Sequence, residues 1–417
     1  MRDWLCRLLR AQPHELAALG GSFLYFFLLL AAYYVLRPVR DEFAVQAGAA
    51  RLPLIFTATF ATMLALVPAW GWLCARLARE RLLAATYAFF ALNLAFFWLV
   101  LRTGATPLAA GAFFVWVSVF NLFAVSVFWS FMADVFDRSQ AARLFPAIAA
   151  GGSCGAIAGP TLTAHLAPML GPANLLLVSA FVLAAIIACI RTLTAWARRH
   201  PRQGEPPAEE PVGGSMLAGA RAALTSPYLL GISAWLLCYT VLSTSLYFQQ
   251  VEIVGAAIAD PAERTRLFAT VDLAVNSLTL LVQLSLTARL SLRLGTGWML
   301  ALMPLASLAG FALLGAVPTL AVLVAFGITR RVGEFAISKP VREALYTVIG
   351  REERYKAKNF IDTVVYRGGD VLSGWLVQAL RALGLGVSGV AFAMLPVAAA
   401  WVALSFWLGR RQAAPRG

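Results

Sequence analysis

Uninterrupted apolar stretches of about 20 residues recur along the whole of this chain, and no other feature constrains its fold so tightly. At 1.5 Å of rise per residue, a helix of that length crosses the ~30 Å hydrocarbon core of a bilayer. The stretches do not alternate apolar with polar residues as barrel strands do, and lipid offers no water to open backbone groups, so helices are required. Twelve spans are expected, at 16–37, 52–73, 82–101, 108–133, 143–165, 173–194, 228–250, 267–288, 297–316, 319–340, 358–380 and 387–408. Composition agrees. Of 417 residues, 60% are hydrophobic and 13% charged, about half the charged share of a soluble domain. The expected fold is an all-α membrane protein with twelve transmembrane helices in two six-helix halves.

A formal net charge of +14 suggests nucleic acid, but its distribution excludes that partner. Basic residues mark alternate breaks between the apolar runs. One side collects Arg2, Arg7 and Arg10, then Arg76, Arg79 and Arg81, Arg138 and Arg143, Arg191 to Arg221, Arg289 and Arg293, Arg351 to Lys358, and Arg410 to Arg416. The other side has only Arg37, Arg40, Arg51, Arg102, Arg264, Arg266 and Arg381. By the positive-inside rule both termini are expected in the cytoplasm, in a multi-pass protein of a bacterial inner-type cell membrane. The basic start and first apolar run mimic a signal peptide, yet the run is long, lacks a small-residue cleavage site and is followed by eleven more. Cys6, Cys74, Cys154, Cys189 and Cys238 are scattered, as are His14, His165 and His200, so no disulfide, metal or cofactor is expected.

One break is long enough to be a linker, "RRHPRQGEPPAEEPVGGS" at 198–215. The expected organisation is an N-terminal six-helix bundle at 1–197, a cytoplasmic linker at 198–226 and a C-terminal six-helix bundle at 227–417. The halves read as parallel repeats. A shift of 213 residues lays "ARL" at 75–77 on "ARL" at 288–290, Arg138 on Arg351, Arg143 on Lys356 and Gly155 on Gly368. Gly151, Gly155 and Gly159 share one face of span five, which marks a close helix interface, either sliding or static.

The stretch "GITRRVGEFAISKPVREALY" at 327–346 sets Arg330 and Arg331 near the expected bilayer midplane, with Glu334 a turn below. Each charge at that depth costs roughly 2.5 to 3.5 kcal/mol, so exposure to lipid is excluded. Span eleven answers with Asp362, Arg367 and Asp370. Arg330 and Glu334, at i and i+4, are expected to pair along one helix, leaving Arg331 for another helix or a ligand. Weaker polar faces lie at Ser126, Ser130 and Asp134, at Asp272 and Asn276, and at Tyr239, Ser243 and Tyr247; for the serines, interhelical hydrogen bonding is the preferred reading. At the far end of span one, "YYVLRPVRDEF" carries Arg37, Arg40, Asp41 and Glu42. There Pro38 is expected to interrupt the helix. Adding Arg37, Arg40, Lys339, Arg342 and Lys358 to the midplane set leaves excess cationic charge. Guanidinium grips phosphate or carboxylate with two parallel bonds, so an anionic solute is favoured.

Two patterns resemble known families. "GWLCARLARERLL" at 71–83 resembles the loop after span two of the major facilitator superfamily, with Ala75 where an Asp is usual. Pro340, Arg342, Glu343 and Tyr346, then "KAKNFID" at 356–362, Arg367 with Gly368 and Gly369, and "LRPVRDE" at 36–42 resemble the ATP/ADP translocases, nucleotide exchangers of major-facilitator type. Lys339, where that family has an acid, and Asp370 after the glycine pair depart from the pattern. The resemblance implies nucleotide antiport, with Arg37, Arg40, Arg330, Arg331, Glu334, Lys358, Asp362, Arg367 and Asp370 as solute-binding residues. The expected function is alternating-access exchange of an anionic solute, of ATP/ADP type, by a monomer. Two other readings stay open: a proton-coupled carrier of another metabolite or drug, in which Glu334 or Asp362 titrates, and a non-transporting membrane scaffold or sensor. Enzyme chemistry is not expected, because no phosphate loop or nucleophile-base set is present.

Overall fold

The computed structural model describes residues 11–76, 79–104, 106–200, 221, 224–349, 357–358 and 360–413. Among them the chain is helical and has no strand. The α-helices are α1 (Leu16–Ala47), α2 (Leu52–Arg76), α3 (Arg79–Arg102), α4 (Pro107–Val135), α5 (Arg138–Arg199), α6 (Pro227–Ala257), α7 (Pro261–Val282), α8 (Ala288–Ala316), α9 (Leu320–Gly333), α10 (Lys339–Leu345), α11 (Tyr366–Ala382), α12 (Val387–Ala393) and α13 (Leu395–Ala413). Nine helices among the described residues are long and apolar enough to cross a bilayer.

Helix α5 accounts for two of the twelve expected spans. Sixty-two residues of straight helix would reach roughly 93 Å, three times the hydrocarbon core. The helix breaks at Gly171, whose φ of +75° suits a residue without a side chain, and Pro172 follows. The packing shows that the chain doubles back there. Before the break, contacts with α1 advance in step: Arg143 meets Glu15, and added side chains at Gly151, Gly155 and Gly159 would strike the carbonyls of Phe23, Phe27 and Ala31. After the break they run in reverse, Ser179 reaching the Ala32 carbonyl, Leu193 abutting Gly21 and Trp196 reaching the His14 carbonyl. The glycine face of span five is therefore its seat on α1. The two expected spans that remain, ten and eleven, are the charge-bearing stretches that contain α9, α10 and α11.

Span one departs from expectation. Its helix does not stop near Arg37 or break at Pro38 but continues to Ala47. Proline removes one amide donor, yet its fixed φ is helical, and a membrane helix tolerates it where neighbours satisfy the freed carbonyl. Arg37, Arg40, Asp41 and Glu42 thus stand on a regular helix.

By contact the chain divides into two compact units. The first comprises Met1–Ala47, Ala61–Ala208 and Ile258–Leu273; the second comprises Gly48–Phe60, Glu209–Ala257 and Ala274–Gly417. Most of the expected linker at 198–226 lies outside the described residues. So do Arg2, Arg7, Arg10, Arg351, Arg354 and Lys356.

Candidate functional site

Pro340 shapes the charged stretch of the second unit. Lacking an amide hydrogen, it cannot donate to Ala336, four residues back. The turn above it widens into a π-helix at Glu334–Ser338, and the Lys339 amide bonds the Glu334 carbonyl. That leaves the carbonyls of Phe335 and Ala336 without helical donors. Gln283 Nε2 donates to Phe335 O at 3.1 Å, and Thr287 Oγ1 to Ala336 O at 3.0 Å. These donors belong to a second π turn, Gln283–Thr287, and a third spans Ile361–Val365. Single π turns within helices gather at functional sites, and here two of the three carry the acids Glu334 and Asp362.

The expected pair of Arg330 and Glu334 does not close, although the Glu334 amide bonds the Arg330 carbonyl and the α-helical spacing between them is kept. Neither residue closes an ion pair among the described residues; Arg330 Nε and Nη1 and Glu334 Oε2 are buried without a protein partner. Arg330 instead lays its guanidinium 5.7 Å from the ring centre of Tyr239, on α6. Tyr239 in turn packs against Tyr366 and Trp401, with ring centres 6.1 and 6.0 Å apart. Two residues past Pro340, Arg342 is 6% exposed, and its Nε and Nη1 have no hydrogen-bond partner. Its Nη2 stands 3.9 Å from Asp362 Oδ1, too far for a hydrogen bond. The Tyr346 hydroxyl and Ser338 Oγ are also buried and unpartnered.

Span eleven supplies the rest. Gly369 lets α11 lie close to α6, since a Cβ there would fall 2.2 Å from Thr240 Oγ1. This approach brings Asp370 within 3.0 Å of the donating Thr244 hydroxyl, while Arg367 reaches the other carboxylate oxygen at 3.5 Å. Lys358 pairs with Glu343 and lies 5.8 Å from the Tyr346 ring centre. Arg331 sits half-buried beside Arg330. In the first unit, Arg37 meets Asp272 at 3.5 Å, and Arg40 binds Asp41 at 2.7 Å while stacking on Phe114.

Of the residues expected to bind solute, Arg330, Arg331, Glu334, Lys358, Asp362, Arg367 and Asp370 therefore lie in the second unit, and Arg37 and Arg40 in the first. Sequence reasoning had counted Arg342 only as added charge and as part of a motif, and Tyr346 only as part of that motif, yet both stand within the cluster. Tyr239 was visible as one member of a polar helix face. Nothing in the spacing marked Tyr366.

Buried polar groups in folded proteins nearly always find partners, and those that do not mark a role or a missing molecule. Here two guanidinium groups offer free N–H donors, two carboxylates offer free acceptors, and two hydroxyls offer both. Such a set suits a solute with an anionic group and hydrogen-bond donors of its own. The cleft of about 380 Å³ lined by Glu252, Ala256, Pro318 and Val387 lies at the far end of α6 and includes none of these charges.

Residues 16–369 match the profile of the Major Facilitator Superfamily. No curated protein matches the sequence. Among solved structures, the chain is similar to a bacterial homolog of the human lysosomal transporter Spinster in an inward-facing, unoccupied conformation, at 14% identity over 98% of this chain and 100% of that one, with a TM-score of 0.65. It is also similar to the POT family transporter PepTSo, at 13% identity over 94% and 97% of the two chains and a TM-score of 0.65. The nucleoside transporter NupG follows at 14% identity, 97% and 100% coverage and 0.58. At such identities the likeness speaks to the fold.

Proposed function

The chain belongs to the major facilitator superfamily, and on that premise we propose that it is an alternating-access exchanger of anionic organic solutes, of ATP/ADP type. Membership makes it a multi-pass secondary transporter; the solute class is inferred from the cluster on α9 to α11. The observation that carries it is the pair of guanidinium groups, Arg330 and Arg342, whose buried Nε and Nη1 atoms have no protein hydrogen-bond partner. A cation buried without its hydrogen bonds costs several kcal/mol, and an anion repays that cost when it binds. Glu334 and Asp362, each with an oxygen that accepts no hydrogen bond, accept from hydroxyl or amino groups of the same solute. Arg331, Lys358, Arg367 and Asp370 complete the set. Arg37 and Arg40 already hold Asp272 and Asp41 and are left out of it. The protein works as a monomer in a bacterial inner-type membrane, its termini cytoplasmic and its halves, 1–197 and 227–417, rocking against each other.

Proteoliposomes preloaded with ADP and offered labelled ATP test this reading. Uptake well above that of empty vesicles supports it; equal uptake removes the nucleotide. One observation favours a second reading. Glu334 is 7% exposed and keeps an oxygen without a partner, as a proton-carrying acid would. Transport driven by a pH gradient and lost in Glu334→Gln would select that carrier instead.

A further inference from the structure

A bidentate ion pair in the first unit joins two helices that the sequence keeps 222 residues apart. Glu42, near the end of α1, is 0% exposed. Its carboxylate accepts from Arg264 Nε and Nη2, both at 2.7 Å, and from Gln46 Nε2 at 2.9 Å. Arg264 stands in the first turn of α7, and its remaining nitrogen, Nη1, donates to the carbonyls of Ile258 and Ala259 at 2.9 and 3.0 Å. Those carbonyls belong to the turn that leads into α7. One guanidinium thus fastens that turn and the end of α1 together, with all three nitrogens used. Five residues back on α1 and eight further along α7, Arg37 meets Asp272 at 3.5 Å, with acid and base exchanged between the helices. Two crossed pairs admit one antiparallel register.

Neither Glu42 nor Arg264 belongs to the solute site. We propose that they are positioning residues of the transport cycle: a latch that holds the end of α1 against the start of α7 and parts when the carrier opens at that end, with Arg37–Asp272 as its looser inner rung. The proposal rests on the transport reading, because only alternating access requires these helix ends to separate. The physics suits a two-state contact. Dry, the pair is bidentate and fully satisfied; once wet, both groups are hydrated and their attraction falls to little. The latch therefore gives way as a whole instead of stretching.

Ala269, five residues beyond Arg264 on α7, is fully buried and serves as the reporter. The full chain carrying Ala269→Cys is placed in lipid nanodiscs, without solute, and its reaction with a membrane-impermeant maleimide is timed after subtracting the signal of the unaltered chain. Glu42→Gln and Arg264→Gln, each added singly, are expected to raise the rate about 10-fold by shifting the population towards the parted state. The swap Glu42→Arg with Arg264→Glu is expected to bring it back close to the starting value, which a general loss of packing would not do. Single variants that react at the starting rate, or a swap that reacts as fast as they do, overturn the latch. If the single variants do not reach the membrane, the double replacement Glu42→Gln with Arg264→Gln is read in their place: a 10-fold rise supports the latch and an unchanged rate overturns it. Because no solute is present, this outcome is independent of whether nucleotide is the cargo.

Discussion

The charges around Glu42 and Glu15 in the first unit are spent, and those around Glu334 in the second are not. Arg264 uses every guanidinium nitrogen, Glu42 accepts three bonds, and Glu15, 1% exposed, accepts from Arg143, Gln140 and the Gln12 amide. Glu334 and Arg342, at similar burial, and the half-buried Arg330 leave five nitrogen and oxygen atoms without hydrogen-bond partners. The two regions carry the same residue types at comparable cost of burial. Saturated pairs fix register between helices, and unsaturated ones wait for something that binds.

The contrast can be broken most directly at the unsaturated end. Arg330→Gln and Arg342→Gln each remove a charged donor to the solute, a loss of about 100-fold in exchange rate at low solute concentration, because hydrogen bonds to charged groups are worth up to about 3 kcal/mol. The melting temperature of Arg330→Gln should hold or rise, since its charge closes no ion pair, and that of Arg342→Gln should hold or fall slightly, since Asp362 loses its neighbour at 3.9 Å. Loss of melting temperature with transport preserved would reverse the assignment.

Glu15→Gln is the mirror test. It should lower stability to denaturant by about 2 kcal/mol, less than the 3 to 5 expected of a fully dry pair because Arg143 can turn to water. Exchange by the surviving protein should be unaltered. Burial pushes the Glu15 carboxyl up, but the bonds from Arg143, the Gln12 amide and Gln140 outweigh it and leave the pKa below its ordinary 4.5. A depressed folded-state value means stability that is fully present above pH 4.5 and lost as pH falls through the lower, folded value. Wild type should therefore lose stability in that acid window, and Glu15→Gln should lose less. Identical acid profiles would deny the pair its part.

Pro340→Ala sharpens the comparison within the second unit. A restored amide at position 340 favours an ordinary α turn over the π turn, which would turn Lys339 and Arg342 about the helix axis relative to Arg330 and Glu334. Exchange should drop about 10-fold, the scale of one misplaced charged contact, while the melting temperature holds or rises. Unimpaired exchange would show that the π turn has no part in binding. The smallest effect belongs to Asp137, which caps α5 in a reciprocal arrangement with Gln140. Asp137→Ala should cost about 1 kcal/mol by denaturant titration and leave transport unchanged.

Much of the fold was legible because lipid permits so few solutions. Spans two, three, four and seven emerge within several residues of their expected limits, and the glycines of span five lie at a helix seat as their spacing implied. The candidate site was legible only in outline. Arg330, Glu334 and Asp362 declared themselves by being charged at depth, whereas Tyr239 showed only as one member of a polar helix face and Tyr366 looks like any aromatic residue in an apolar run. The Arg330–Glu334 pair was read from α-helical spacing; the spacing holds, but it does not say which way a side chain turns, and Arg330 turns to Tyr239. Pro340 stood in plain view, but its effect depends on Gln283 and Thr287, more than 50 residues earlier, arriving to take the orphaned carbonyls. Glu42 and Arg264 show the same limit, for each looked like an interfacial charge at a helix end until tertiary packing sealed them together.

By itself the sequence determined that this chain spans a membrane many times as helices and that its intramembrane charges must turn away from lipid, because the solvent penalty applies to each residue wherever the others lie. Only the tertiary structure decided which charges neutralise one another and which remain open to a ligand, because pairing depends on distances of a few ångströms between helices that the chain order leaves unspecified.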